Sequence, residues 1–309
     1  MIQNAKVVSV TTNPEEYFPN AERCTISYAM SSSSLKAFSV CPSKYKAGVE
    51  DNETESKKFG SLLDCLVLTP SQMRSRFAIQ PETYTNDKGE TKPWSNNSNS
   101  CKTWKKENAD RTIITQQQLS ECASAVLRMS TDQKIASFIK ESDTQVWVTG
   151  EYSDEDTGLV IPMRCLIDLV PKSESEYGLC IGDIKTTRSA VIADWTRDVF
   201  KFGYHVQAAF NLDLYNAATG EDRTTFCHVV QENTPPYEPA RRMLDLEFIE
   251  MGRNEYRGAL LNYCKCLKSG IFPSYDDTDE SSQGWTNIAP LPYMAIQNTF
   301  EPKYLFDGT

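Results

Sequence analysis

Between Gln145 and Val230 the order of short apolar runs, turns and helix-length segments constrains the fold more than any other feature of the chain. Gln145 to Tyr152, with Val146, Trp147 and Val148, reads as a strand. Asp154 to Gly158 is a turn, and Leu159 to Val170 returns as a second strand, making a hairpin. After Pro171 to Gly178, the apolar Leu179-Cys180-Ile181 runs as a third strand into Gly182-Asp183-Ile184-Lys185-Thr186-Thr187. Val191 to Phe200 and Tyr204 to Ala218 have helical spacing, Thr224 to Val230 is again a strand, and Tyr237 to Met243 is a short one. These residues predict a single α/β domain.

The flanking segments add helices. Residues 1–30 read as irregular, with Asn13-Pro14 and Phe18-Pro19 as breakers. Ser31 to Ser34 offer N-caps for a helix carrying Leu35 and Phe38, and Cys41-Pro42 either ends it or starts another. Lys57 to Leu68 is helical through Phe59, Leu62, Leu63 and Leu66, with Gly60 and Ser61 leaving room for close backbone approach; Asp64 lies one residue outside that stripe. Pro81 to Ser100 is polar and reads as a mobile surface loop, and Thr115 to Lys140 as a helical region. Leu244 to Lys268 reads as a long helix, questioned by Gly252 and Gly258 and closed by Gly270. Residues 273–309 read as a loop-like C-terminal extension.

Composition narrows the classes. In 309 residues, 39% are hydrophobic and 24% charged, as in water-soluble globular chains, and no apolar run approaches the roughly 18 residues of a membrane span. Met1 to Lys6 lacks a signal-peptide core, so the expectation is a cytoplasmic protein with its ten cysteines reduced. The close pair Cys264/Cys266 and two histidines are a weak signal for zinc or iron–sulfur. A net charge of −10 argues against a protein that coats nucleic acid through general positive charge, while leaving room for a local basic channel.

In the third strand Asp183 and Lys185 are two apart and share a face, with Ile184 turned the other way. A carboxylate beside an ammonium at a strand end suits metal-assisted chemistry; it also suits a plain surface ion pair. Asp168 is the one acid in the preceding strand, Met163 to Val170, where a lone carboxylate costs desolvation energy unless it is compensated; the alternative is an Asp entering a turn. If the strands are neighbours, both aspartates meet at one end of the sheet. Gln207 follows Tyr204 by three on the next helix and shares its face, toward the same end or merely as core and surface. Lys102, Lys105 and Lys106 around Trp104 form either a nucleic-acid grip or a solvated helical face.

In this order, Asp168, then Asp183-x-Lys185, then Tyr204-His205-Val206-Gln207-Ala208-Ala209-Phe210, the chain resembles the PD-(D/E)xK nuclease superfamily, and within it the RecE-type exonucleases of phages and prophages. Ser31 to Leu35, Cys41-Pro42 and Phe59 to Pro70 are similar to that family's opening helices, and the resemblance covers residues 31–272. It implies a restriction-endonuclease-like mixed central sheet flanked by helices, with a helical N-terminal part. It implies a Mg²⁺- or Mn²⁺-dependent exonuclease acting on double-stranded DNA ends, 5′-to-3′, in phage-type recombination, in the cytoplasm of a bacterial or phage-infected cell. A ring-like homo-oligomer and a single-strand annealing protein as partner come with it. By the same resemblance Asp168 and Asp183 bind metal, Lys185 orients or activates water, and Gln207 and Tyr204 support the site or touch DNA, with Glu151 a lesser candidate. Relatives usually carry His where this chain has Asp64. Asp is a hard oxygen ligand that can hold Mg²⁺ or Mn²⁺, and it either serves as a third metal ligand or marks altered activity. Other readings are a same-fold endonuclease or single-strand nuclease, and a catalytically inactive module that binds DNA or protein.

Overall fold

The computed structural model describes residues 1–8, 21–48, 54–86, 88–275 and 288. Strand β1 (Ile2–Val8) opens the chain, followed by helices α1 (Ser32–Val40), α2 (Pro42–Lys46) and α3 (Glu55–Leu68). A 3₁₀ turn (Pro70–Gln72), α4 (Met73–Arg76), and strands β2 (Phe77–Ile79), β3 (Thr83–Thr85) and β4 (Thr91–Pro93) come next. Then come α5 (Asn99–Glu107), β5 (Thr112–Ile114), α6 (Gln116–Ser130) and α7 (Gln133–Lys140). The central part is β6 (Ser142–Ser153), β7 (Val160–Pro171), β8 (Cys180–Thr187), α8 (Ile192–Lys201), α9 (Tyr204–Thr219), β9 (Thr225–Glu232), β10 (Pro239–Met243) and α10 (Leu246–Ser269).

Among the described residues six strands form one sheet in the order β1-β6-β7-β8-β9-β10. Every neighbouring pair is antiparallel except β8 and β9, so the sheet is mixed. A parallel pair needs a crossover connection, and α8 and α9 supply it. Alternation along the strands builds two cores. Ile181 and Val230 face Leu35 and Phe38 of α1, Ala208 and Leu212 of α9, and Leu260 and Tyr263 of α10. Ile184 and Val229 face Leu62 and Leu63 of α3, Met129 of α6 and Phe138 of α7. No helix among the described residues is long and apolar enough to cross a membrane.

Two local expectations change and one question is answered. Residues 1–30 are not irregular throughout: β1 pairs with β6, with a register shift between Gln3 and Lys6 and Asn4 at φ 51°. Such a bulge breaks the two-residue alternation by which a strand is recognised. Residues 9–20, with their two X-Pro steps, lie outside the described residues, as do 49–53, 87, 276–287 and 289–309. Pro81 to Ser100 holds the β3–β4 hairpin, and Trp94 packs edge-on against Trp104 with ring centres 5.4 Å apart. Finally, α10 runs unbroken through Gly252 and Gly258.

Candidate active site

The ladder between β7 and β8 carries one pair, Leu169 opposite Gly182. Antiparallel counting one step further puts Asp168 opposite Asp183, where the strands part. The Ile184 amide, which would otherwise bond across the ladder, donates to Asp168 Oδ2 at 3.0 Å. The other oxygen, Asp168 Oδ1, accepts from Gln145 Nε2 at 2.9 Å, in keeping with the β6–β7 register that sets Gln145 across from it.

Asp183 is 2% exposed. Its Oδ1 accepts from Gln207 Nε2 of α9 at 2.7 Å, and Lys185 Nζ forms an ion pair with its Oδ2. Apart from that ion pair, Oδ2 is buried without a hydrogen-bond partner. Tyr204 lies one helical turn before Gln207, its ring centre 5.3 Å from Lys185 Nζ and stacked on Trp195 at 5.4 Å. From the other face α3 contributes Asp64, one turn past Gly60. A Cβ at Gly60 would sit 3.2 Å from Thr186 Oγ1, so the glycine permits the close approach of α3 to β8.

Charge is concentrated here. Burial, then the Lys185 charge opposing it and the Asp183 charge adding to it, push the Asp64 carboxyl up to about 7. Burial, Asp183 and Asp64 hold Asp168 well above the usual carboxylate range, against Lys185 and the Ile184 amide. Burial acts to lower the Lys185 ammonium, but Asp183 and Asp168 outweigh it and keep it above its ordinary value. Two carboxyls raised by burial and by the Asp183 charge beside them form, with Asp183, a site that gains by taking up a cation. Their oxygens are the hard donors that Mg²⁺ and Mn²⁺ prefer, and Asp183 Oδ2, buried with the Lys185 ammonium beside it and no other partner, is placed to serve as one, so the residues fit such an ion. They do not form a ready cage: among the described residues no three His, Cys, Asp or Glu side chains are grouped closely enough to hold a metal.

Two neighbours escape a sequence reading. His228 on β9 is opposite Asp183, 1% exposed, with both ring nitrogens unpartnered among Trp195, Tyr204 and Phe226; burial, opposed by Asp183, lowers it to about 4, so the ring is neutral. Lys36 on α1 is lowered to about 8 by burial and by Lys185, with Asp183 opposing. Neither has a signal in its own segment, because β9 and α1 reach the site only through tertiary packing.

Asp64, Asp168, Asp183, Lys185, Tyr204 and Gln207 thus come together. Lys102, Lys105 and Lys106 do not join them: they lie on α5 beside the β3–β4 hairpin, where Lys105 donates to Asn96 Oδ1 at 2.9 Å. Among the described residues no interaction links these lysines to the carboxylates. Glu151 is also elsewhere. Register puts it opposite Pro162, six residues from Asp168, which is about 20 Å at 3.3 Å per residue, and it accepts from Asn4.

A mixed sheet that parts at two aspartates, with a lysine two residues on and a glutamine from the crossover helix, defines the class as a nuclease-type α/β fold. The family of PDDEXK-like domains of unknown function (DUF3799) matches residues 31–281, and the chain belongs to that family and to the PD-(D/E)xK nuclease superfamily. A solved candidate exonuclease from Eubacterium rectale is 16% identical, with a TM-score of 0.57 over 94% of this chain and 100% of that one, which establishes likeness of fold. Candida albicans Rai1 in complex with pU5-Mn²⁺ matches at 9% identity and a TM-score of 0.28, over 79% of this chain and 69% of that one, too loosely to bear on the argument. No curated protein matches.

Proposed function

We propose that this protein is a metal-dependent deoxyribonuclease that hydrolyses phosphodiester bonds at the ends of double-stranded DNA. The observation that carries the reading is the meeting of Asp168, Asp183 and Lys185 where β7 and β8 part, with Gln207 fixing Asp183. Asp183 and Asp168, with Asp64 beside them, would hold Mg²⁺ or Mn²⁺. When bound, the ion would polarise the phosphate and favour ionisation of water. Lys185 holds a proton-rich, cationic group where an attacking water and a phosphate oxygen would lie, and orients both. Gln207 holds the Asp183 carboxylate by a hydrogen bond, and the Tyr204 ring lies beneath the Lys185 ammonium. The 5′-to-3′ polarity, the part in phage-type recombination, the annealing-protein partner, the ring-like oligomer and the bacterial cytoplasmic setting belong to this proposal through the resemblance to RecE-type exonucleases.

The test is digestion with Mg²⁺ of one plasmid, linear and covalently closed. The linear form is degraded and the closed circle is spared. Lys185→Ala lowers the rate on linear DNA by about 100-fold or more, the usual scale for losing a positioned proton-transfer or charge-stabilising group. Equal digestion by both proteins removes Lys185 from the chemistry, and cutting of circles makes the enzyme an endonuclease. A second reading, a nuclease fold kept for binding alone, draws on the lack of a three-ligand metal group among the described residues.

A further inference from the structure

The turn between α8 and α9, Phe202-Gly203, carries an aromatic and cationic surface at the lip of the candidate site. Among the described residues the only exposed phenylalanines are Phe200 and Phe202, at 62% and 46% exposure, and both sit here. The Phe202 ring is 5.7 Å from the Tyr204 ring, and Tyr204 is 5.3 Å from Lys185 Nζ, which pairs with Asp183. A continuous track of ring, ring and ammonium therefore runs from solvent to the buried carboxylate. Cations flank it: Lys201 Nζ lies 5.2 Å from the Phe202 ring centre, and Lys36 Nζ donates to the Phe202 carbonyl at 2.9 Å while lying 5.9 Å from the Tyr204 ring centre. The turn is fixed in place. Gly203 has φ +63°, and a Cβ there would come 2.5 Å from Lys36 Cδ, so the lysine stem and the glycine lock the ring's position.

Exposed apolar rings set among cations match one ligand chemistry better than others. In a duplex each base face is covered by its neighbours; an unpaired base has a free face for a phenyl ring, and its phosphates suit the adjacent ammonium groups. We infer that Phe202 is a stacking platform for an unpaired nucleobase, with Lys201 and Lys36 meeting phosphates of the same strand, so that a strand enters the carboxylate site single-stranded. The inference rests on the nuclease reading only for what happens to the strand once it arrives. It adds to that reading that a double-stranded end is frayed before it is cut, and that single-stranded tails are preferred substrates.

The experiment is a fluorescence titration of a single-stranded oligonucleotide carrying 2-aminopurine, in EDTA so that nothing is cleaved, beside a digestion assay in Mg²⁺. Wild-type protein quenches the probe, Phe202→Trp retains the quench, and Phe202→Ala and Phe202→Leu lose it and weaken binding of the strand about tenfold. Binding of a duplex closed by hairpins at both ends changes less than twofold in all three variants. Strand affinity unchanged in Phe202→Ala, no binding by the wild type, or Phe202→Leu performing as well as wild type overturns the inference; the last result marks the side chain as an apolar contact without base stacking. Quenching without digestion in Mg²⁺ keeps this inference and removes the nuclease reading. Digestion at equal rates by wild type and Phe202→Ala, with no quench, does the reverse.

Discussion

Single residues carry opposite demands in this site. Asp64 pays for its position: its carboxyl rises from 3.8 to about 7 in the fold because burial penalises its charge. A carboxyl whose folded pKa is raised lends stability below its unfolded value and loses it as pH climbs through the folded value. Metal-free protein therefore loses stability between about pH 4 and pH 7 on this residue's account. Asp64→Asn removes that loss, and urea unfolding in EDTA is expected to show the variant more stable by roughly 1–3 kcal/mol at pH 8 and little changed at pH 4. Gln207 makes the converse case. Gln207→Ala strips Asp183 Oδ1 of its donor, and loss of such an orienting bond lowers kcat by about tenfold or more with KM for DNA nearly unchanged. Steady-state kinetics on linear DNA read the difference; a rise in KM alone would make Gln207 a DNA contact.

Elements set where those residues stand, and two glycines of α10 separate space from propensity. A Cβ at Gly252 collides with the His205 carbonyl oxygen of α9, a backbone atom that cannot give, whereas Gly258 has nothing within 4 Å. Gly252→Ala is expected to destabilise by about 1–3 kcal/mol and Gly258→Ala to stabilise by roughly 0.5–1 kcal/mol, as read from denaturant midpoints. The same contrast explains why helix propensity made the length of α10 doubtful while packing made it continuous. It also shows which elements a sequence discloses. Asp183 and Lys185 share a face by the two-residue period of a strand, and Tyr204 with Gln207 by the helical turn; both periods are local. Strand β1 is hidden because its bulge at Asn4 breaks alternation and its partner is about 140 residues away. Lys102, Lys105 and Lys106 look like a grip in the sequence, but the placement of α5 against its hairpin decides where they point.

At the scale of the molecule, the proposed function asks a chain of net charge −10 to meet a polyanion at one place. The sheet supplies a buried acidic end that a divalent ion would neutralise, and Lys36, Lys185 and Lys201 line its lip. Two cores pack the sheet through apolar contacts alone, so the protein is expected to stay folded in EDTA. The site was legible as far as strand order and residue spacing reach; Gln145, His228 and Lys36 were not, since each arrives by register or docking. Calorimetric titration with Mn²⁺ shows whether the aspartates facing one another across the parted strands take up a divalent cation. Wild-type protein is expected to bind at millimolar concentration or below, and Asp168→Asn and Asp183→Asn each to weaken binding at least tenfold. Absence of binding by the wild type at millimolar Mn²⁺, or equal binding by all three proteins, would contradict it.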